Sequence, residues 1–294
     1  MPAHSLDQAL RAAAAELSAA GVPSPRVDAE LLAAHLLGES VGRVRALAFT
    51  DAAAPEGYAG LVAERARRIP LQHLTGKAHF RRLELAVGPG VFVPRPETET
   101  VAQLAIDRAR LVPGGAKVVD LGTGSGALAA SIASEVPDSD VYAVELSPLA
   151  LAWARKNLDP LGVTVLEGDL RTALPGQDGT FDVVVSNPPY IPAGAVPNEP
   201  EAADHDPAMA LYGGGADGLE LPGAAARTAA RLLRPGGYFV MEHAEVQARA
   251  IAARLAADPA WEAITSHNDL NDRPRATSAV RSAAAATSQS SMKE

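Results

Sequence analysis

The sequence predicts an α/β protein: a largely parallel sheet with helices on both faces, preceded by a small helical domain. Two observations carry this. From about residue 96 onward, short strand-like apolar runs alternate with segments of helical period, which is the pattern of strands joined by crossover helices. The first seventy or so residues carry helical period alone.

The N-terminal elements follow from local signals. Ser5-Leu6-Asp7-Gln8 forms a capping box, in which the serine hydroxyl accepts from the Gln8 N–H. Leu6, Leu10, Ala13, Ala14 and Leu17 then share one helical face, and Gly21 stops the helix. Ser24-Pro25 starts the next one, with proline where a missing N–H costs nothing. Val27, Leu31, Leu32 and Leu36 are its apolar stripe, and Gly38 ends it. Two short helices are expected near 41–49 and 55–68. Between 70 and 95 the pattern changes. His79 to Val87 alternates like a strand, Gly88-Pro89-Gly90 turns, and Val91 to Val93 is extended, so a β-hairpin linker is expected. The later strands are expected at 117–121, 141–145, 163–167, 181–186, 236–242, 262–267 and 276–281. The chain thus divides into a helical domain at 1–75, a hairpin linker at 76–95, an α/β domain at 96–282 and a disordered Ala/Ser/Thr-rich tail at 283–294.

Composition narrows the function. The 294 residues are 47% hydrophobic and 21% charged, a balance that describes a folded soluble chain. No run of eighteen apolar residues offers a membrane span, and Asp7, Arg11 and Glu16 interrupt any signal-like stretch. With no cysteine there is no disulfide, thiolate metal site or cysteine nucleophile, and a cytoplasmic location is expected. The net charge of −9 lowers the prospect of stable nucleic-acid binding, which draws its affinity from phosphate contacts. That charge is uneven: residues 1–84 hold 10 basic and 9 acidic side chains, and the acidic surplus lies beyond them.

The chemistry concentrates at strand ends. Val118-Val119-Asp120-Leu121 runs into Gly122-Thr123-Gly124-Ser125-Gly126, and a helix begins at Ala127. The spacing G-x-G-x-G differs from the G-x-G-x-x-G of dinucleotide folds. Asp120 would sit badly beside a pyrophosphate but suits a cationic ligand, such as the amino-acid end of S-adenosylmethionine. Glu145, nineteen residues beyond Gly126 and next to Leu146, closes the following strand and can take two ribose hydroxyls. Asp169, beside Leu170, ends the next and can accept from an adenine amino group. Each acid alone can equally be a helix cap or a solvated loop residue, but three at successive strand ends form one crevice.

Asn187-Pro188-Pro189-Tyr190 follows the fourth strand directly. The prolines fix φ and remove two N–H donors, which leaves carbonyls free to face a cavity. This suits methylation of a planar amide or aryl-amine nitrogen, whose lone pair is delocalised. Asn187 Oδ1 and the Pro188 carbonyl can accept both hydrogens of an NH₂ group and stabilise the charge that develops on nitrogen. The Tyr190 ring can cover the flat face of the substrate. A rigid turn is the plain structural alternative.

These two motifs together resemble the amino-methyltransferases. Phe92-Val93-Pro94-Arg95-Pro96-Glu97-Thr98-Glu99, after Pro70-Leu71-Gln72-His73-Leu74-Thr75-Gly76, resembles the HemK/PrmC family in particular, over about residues 5 to 281. The resemblance implies a Rossmann-like class I methyltransferase domain, with 1–75 docking the substrate protein. It implies S-adenosylmethionine as cofactor, released as S-adenosylhomocysteine, and class I peptide chain release factors as partners. The glutamine of their Gly-Gly-Gln motif would be the methyl acceptor. By the resemblance, Asp120, Gly122, Thr123, Gly124, Ser125, Gly126, Glu145, Leu146, Asp169, Leu170 and Asn187 bind the cofactor. Phe92, Arg95 and Asn187 to Tyr190 bind the substrate. A glutamine methyltransferase of a ribosomal protein and a nucleic-acid amino-methyltransferase are alternatives, as is a non-catalytic module that kept the fold. Asp272 stands where the family's late loop usually has glycine. Arg95 and Glu97 read either as a surface ion pair or as part of the site. Arg65, Arg67, Arg68, Lys77, Arg81 and Arg82 read slightly better as a solvated rim than as a partner surface. The scattered histidines show no metal spacing. The segment 193–218 is a candidate to close over substrate, with Gly213-Gly214-Gly215 as pivots. A monomer is expected.

Overall fold

A computed structural model describes residues 5–50, 52–197 and 199–283, so the tail expected from 283 lies almost wholly outside the described residues. The chain forms two compact units, 1–77 with 198–205, and 78–197 with 206–294.

In the first unit, α1 (Leu6–Ala19) is capped by Ser5, whose hydroxyl accepts from the Gln8 N–H. Leu6, Leu10, Ala13 and Leu17 are its buried face. α2 (Pro25–Leu37) departs from the expected stripe. Val27 is exposed, and the buried face centres on Ala29, Leu32 and Ala33. It also buries the carboxylates of Asp28 and Glu30, which apolar periodicity counts as solvent-facing. Their burial is possible because arginines reach them from elsewhere in the unit. Arg26 and Arg45 pair with Glu30, and Arg65 pairs with Asp28 at 2.7 Å. α3 (Val41–Ala48), α4 (Tyr58–Ala66) and α5 (Leu71–Thr75) complete the run, and α5 was not foreseen from the sequence.

The second pair of charges in this unit comes from far along the chain. Glu201, within 198–205, accepts from Arg65 at 2.8 Å and from Arg68 at 2.6 Å. Burial alone would raise its carboxyl, but the Arg68 and Arg65 guanidiniums outweigh that and hold it at about 2. The basic cluster is split: Arg65 is buried, Arg68 is tied to Glu201 and Arg81 to Glu135, whereas Arg67, Lys77 and Arg82 are exposed. Removing Arg65 leaves Asp28 without its ion partner, while Glu201 keeps Arg68. Arg65→Ala is expected to lower the unfolding free energy of this unit by about 3–5 kcal/mol, read as a shifted denaturation midpoint.

In the second unit, β1 (Lys77–Phe80) and β2 (Leu83–Ala86) form the expected two-stranded hairpin. Its turn is Arg81-Arg82, inside the run that reads as one strand, and not Gly88 to Gly90. Arg81 adopts φ of 53° there. Its N–H donates to Glu99 and its guanidinium to Glu135, which holds the bend. α6 (Thr98–Ala109) leads into β3 (Lys117–Leu121). Then follow α7 (Ala127–Glu135), β4 (Asp140–Glu145), α8 (Pro148–Leu158), β5 (Thr164–Glu167) and β6 (Phe181–Ser186). The short α9 (Pro200–His205) belongs to the first unit, and α10 (Ala208–Leu211) and the longer α11 (Glu220–Leu232) resume the second. β7 (Leu233–Glu242), α12 (Ala248–Ala256), β8 (Trp261–Asn268) and β9 (Pro274–Arg281) end the fold.

The seven strands order as β5-β4-β3-β6-β7-β9-β8, with β9 antiparallel to both its neighbours. Alternate side chains enter opposite faces: Val183 and Val185 of β6 join one core cluster and Val184 the other. The strand order reverses between β3 and β6, which opens a crevice at their carboxyl ends. Ser186 Oγ, fully buried, donates to the Leu121 carbonyl at 2.6 Å and ties those two ends together.

Candidate active site

The glycine loop leaves β3 at this crevice. Gly122 and Thr123 donate their N–H groups to the Val144 carbonyl, so the loop bends over the end of β4. Gly122, Gly124 and Gly126 have φ of 75°, 58° and 88°, values that disfavour other side chains. Nothing lies within 4 Å of the place where a Gly124 Cβ would sit, so a ligand can approach the backbone there. Ser125 and Thr123 are buried beneath the loop.

Asp120 is fully buried. Its Oδ2 accepts from the Thr123 hydroxyl at 2.6 Å, and its Oδ1 has no hydrogen-bond partner among the described residues. Burial, above all, pushes this carboxyl up to about 7, and nearby Glu145 adds to the effect. An open acceptor of this kind suits an ammonium group. Glu145 is buried, with Oε2 accepting from Gly124 N–H and Oε1 from Ser147 N–H, both at 2.8 Å. Each carboxylate oxygen keeps a second lone pair, so ribose hydroxyls can still be received. Leu146 is exposed beside it, and Leu170 is buried next to Gly122. Asp169 is less open than the sequence suggests. Arg171, itself exposed, takes both of its oxygens and holds its carboxyl below the usual range. The crevice thus brings together an open buried acceptor, unencumbered glycine backbone and an apolar wall, and these fit S-adenosylmethionine.

Asn187 to Tyr190 follow β6 on the other side of the switch. Asn187 Nδ2 donates to Thr98 Oγ1 at 3.3 Å, which leaves Oδ1 as the outward acceptor of that amide. Tyr190 is half-buried, and its hydroxyl donates to Glu242 Oε1 at 3.2 Å. Burial first, and then Glu242, push the tyrosine hydroxyl up, so it remains a donor. The Tyr190 carbonyl accepts from Gln247 Nε2 at 2.8 Å, and the same amide group donates to the Asp217 carbonyl at 2.9 Å. Gly213, expected as one of three pivots, is held on both sides in this conformation. Its N–H donates to Ile191 and its carbonyl accepts from Leu221. Phe92 lies under the Arg95 guanidinium, 5.4 Å from the ring centroid. Arg95 pairs with the buried carboxylate of Asp206 at 3.2 Å, which favours the reading of Arg95 as part of the site over that of a surface residue.

Thr98, Glu242, Gln247 and Arg275 belong to this site and were not singled out from the sequence. The one available signal was position: Glu242 closes the strand expected at 236–242. Among the described residues no group of three or more histidine or acidic side chains is placed to hold a metal, and no helix is long and apolar enough to cross a membrane.

The chain matches a PrmC N-terminal domain over residues 8–76 and a methyltransferase domain over residues 114–288. It is 51% identical over 261 residues to the release factor glutamine methyltransferase of Streptomyces coelicolor, covering 88% of this chain and 92% of that one. Against the protein of the same name from Mycolicibacterium smegmatis the identity is 49% over 281 residues, covering 94% and 98%. A 4-amino-L-phenylalanine/4-methylamino-L-phenylalanine methyltransferase of Streptomyces pristinaespiralis is 39% identical over 276 residues, covering 92% and 94%. A crevice suited to S-adenosylmethionine beside an Asn-Pro-Pro-Tyr turn, on a chain related over nearly its whole length to these enzymes, places it among the S-adenosylmethionine-dependent methyltransferases, and the chain belongs to the release factor glutamine methyltransferase family.

Proposed function

We propose that the protein methylates the side-chain amide nitrogen of the glutamine in the Gly-Gly-Gln segment of class I peptide chain release factors. The observation that carries this is the fixed sense of the Asn187 amide, whose nitrogen is committed to Thr98. Its Oδ1 and the Pro188 carbonyl are then two acceptors for the two hydrogens of a planar NH₂ group. Bound S-adenosylmethionine supplies an electrophilic methyl group. Asp120, the Gly122 to Gly126 backbone and Glu145 hold it, with Leu146, Asp169 and Leu170 at its base-binding end. Asn187 and Pro188 orient the nitrogen and stabilise the positive charge that grows on it, and the Tyr190 ring packs on the amide plane. The surplus proton leaves from nitrogen after transfer, so no strong general base is needed. Phe92 and Arg95 line the substrate side.

The aryl-amine named in the Streptomyces pristinaespiralis relative keeps a second reading open, since that nitrogen is also a planar NH₂. One experiment separates them. An unmethylated release factor and free 4-amino-L-phenylalanine are each incubated with the protein and S-adenosylmethionine. Mass spectrometry should show a single added methyl on the glutamine peptide and none on the amino acid. An unmodified peptide beside a methylated amino acid would select the second reading.

A further inference from the structure

Glu242 is the buried acid that the cofactor and substrate contacts above leave without a role. Ser186 pairs with Met241 in the parallel β6–β7 ladder, so Glu242 stands level with Asn187 as each strand ends. Its Oε1 receives the Tyr190 hydroxyl at 3.2 Å, its Oε2 is buried with no hydrogen-bond partner among the described residues, and the Thr98 side chain lies near enough to lower its carboxyl. The Thr98 oxygen in turn accepts from the Asn187 amide nitrogen. One carboxylate therefore holds the Tyr190 end of the turn directly and stands beside the threonine that holds the Asn187 end.

We propose that Glu242 is a positioning residue for methyl transfer: through Thr98 it sets which end of the Asn187 amide faces the substrate, and through Tyr190 it holds the ring. An ionised carboxylate only accepts hydrogen bonds. It makes Thr98 and Tyr190 both donors, which leaves the Thr98 lone pairs to receive Asn187 Nδ2 and turns Oδ1 outward. A protonated Glu242 can donate to Thr98 instead. Thr98 then donates to Asn187 Oδ1, the amide turns over, and its NH₂ meets the NH₂ of the substrate, donor against donor.

The surroundings put this inversion within working range. Burial pushes the Glu242 carboxyl up to about 7; Thr98, Arg275 and Tyr190 oppose the rise, and Glu97 adds to it. Arg275 comes from β9 and is anchored on Asp269 at 3.3 Å. Glu97 and Thr98 come from the start of α6, and Tyr190 from the turn after β6.

This rests on Asn187 to Tyr190 being the amide-binding turn, and the test keeps the two apart. Transfer to the release factor is measured from pH 6 to 9 with wild type, Glu242→Gln, Glu242→Asp, Thr98→Val, the Glu242→Gln/Thr98→Val double variant and Asn187→Ala. Glu242→Gln should lose roughly tenfold or more in kcat at pH 8, with S-adenosylmethionine affinity changed less than twofold. The ratio of wild-type to Glu242→Gln rates should climb as pH rises through about 7, a comparison from which any titration of Asp120 cancels. Glu242→Asp, which keeps the charge, should recover part of the loss. Thr98→Val should add less than twofold to Glu242→Gln, because both act on one relay. Wild-type kcat in Glu242→Gln, a pH-independent ratio, or losses that multiply would each overturn the positioning role. Wild-type transfer by Asn187→Ala would instead overturn the amide-binding turn itself.

Discussion

Replacing Asn187 by alanine is expected to slow methyl transfer by roughly a hundred- to a thousandfold, the range found when one oriented dipole is removed from a developing charge. The loss should fall on kcat. In the proposed reaction Asn187 meets the acceptor nitrogen as charge grows there, whereas the residues proposed to hold the cofactor, Asp120, the glycine loop and Glu145, lie across the switch and are bonded to one another. Binding of S-adenosylmethionine, followed by calorimetry, should weaken less than tenfold. An affinity loss as large as the rate loss would make Asn187 chiefly a cofactor ligand. Stability should change little, since among the described residues the Asn187 side chain gives up the long hydrogen bond to Thr98 alone.

The second large effect is expected at Gly213, a residue that touches neither proposed ligand. A Cβ there would lie 2.0 Å from the Gly218 carbonyl oxygen, 2.6 Å from that of Pro189 and 2.8 Å from the Tyr190 Cα. All three are backbone atoms, so no side chain can swing away. Gly213→Ala must push the Pro189–Tyr190 backbone outward, strain the bond from Gln247 to the Tyr190 carbonyl and draw the tyrosine hydroxyl off Glu242. Overpacking of this kind costs about 1–3 kcal/mol of stability. Transfer should fall by tenfold or more, while S-adenosylmethionine binds as in wild type. Gly60, with nothing within 4 Å of its Cβ position and no positive φ, is the control for a generic glycine effect. Equal losses at the two sites would remove the steric explanation.

The parts of the site legible in the sequence are those that one short segment carries by itself. The glycine loop and the Asn-Pro-Pro-Tyr turn each announce their backbone geometry through residue type, and Asp120 and Glu145 sit at strand ends that apolar runs locate. Even Asp272, out of place against the family's glycine, adopts φ of 59°, a left-handed conformation that aspartate tolerates better than most residues. Contacts made by lateral strand order were not legible. Glu242 and Arg275 reach the turn after β6 because β7 lies beside β6 and β9 returns antiparallel beside β7, and Thr98 joins them from α6. Nothing local in Glu242 separates it from an ordinary strand-end acid. The misread face of α2 has the same origin. Asp28 and Glu30 look solvent-facing until arginines distant in sequence neutralise them. The hairpin turn was missed because arginine is an unusual choice for a positive φ, and the carboxylates that hold it come from α6 and α7.

The discontinuity of the helical unit sets a timetable for synthesis. Arg65 and Arg68 are made early, but their shared carboxylate on Glu201 arrives 136 and 133 residues later. At roughly 5–20 residues per second, the nascent helices wait on the order of 7–27 s for it. During that interval Asp28 is already in hand for both arginines, bonded to Arg65 and attracting Arg68, which also donates to the Ala20 and Gly21 carbonyls. The first part of the chain to leave the ribosome is therefore among the last to be completed, and its final charge pairing comes after much of the α/β unit has been translated.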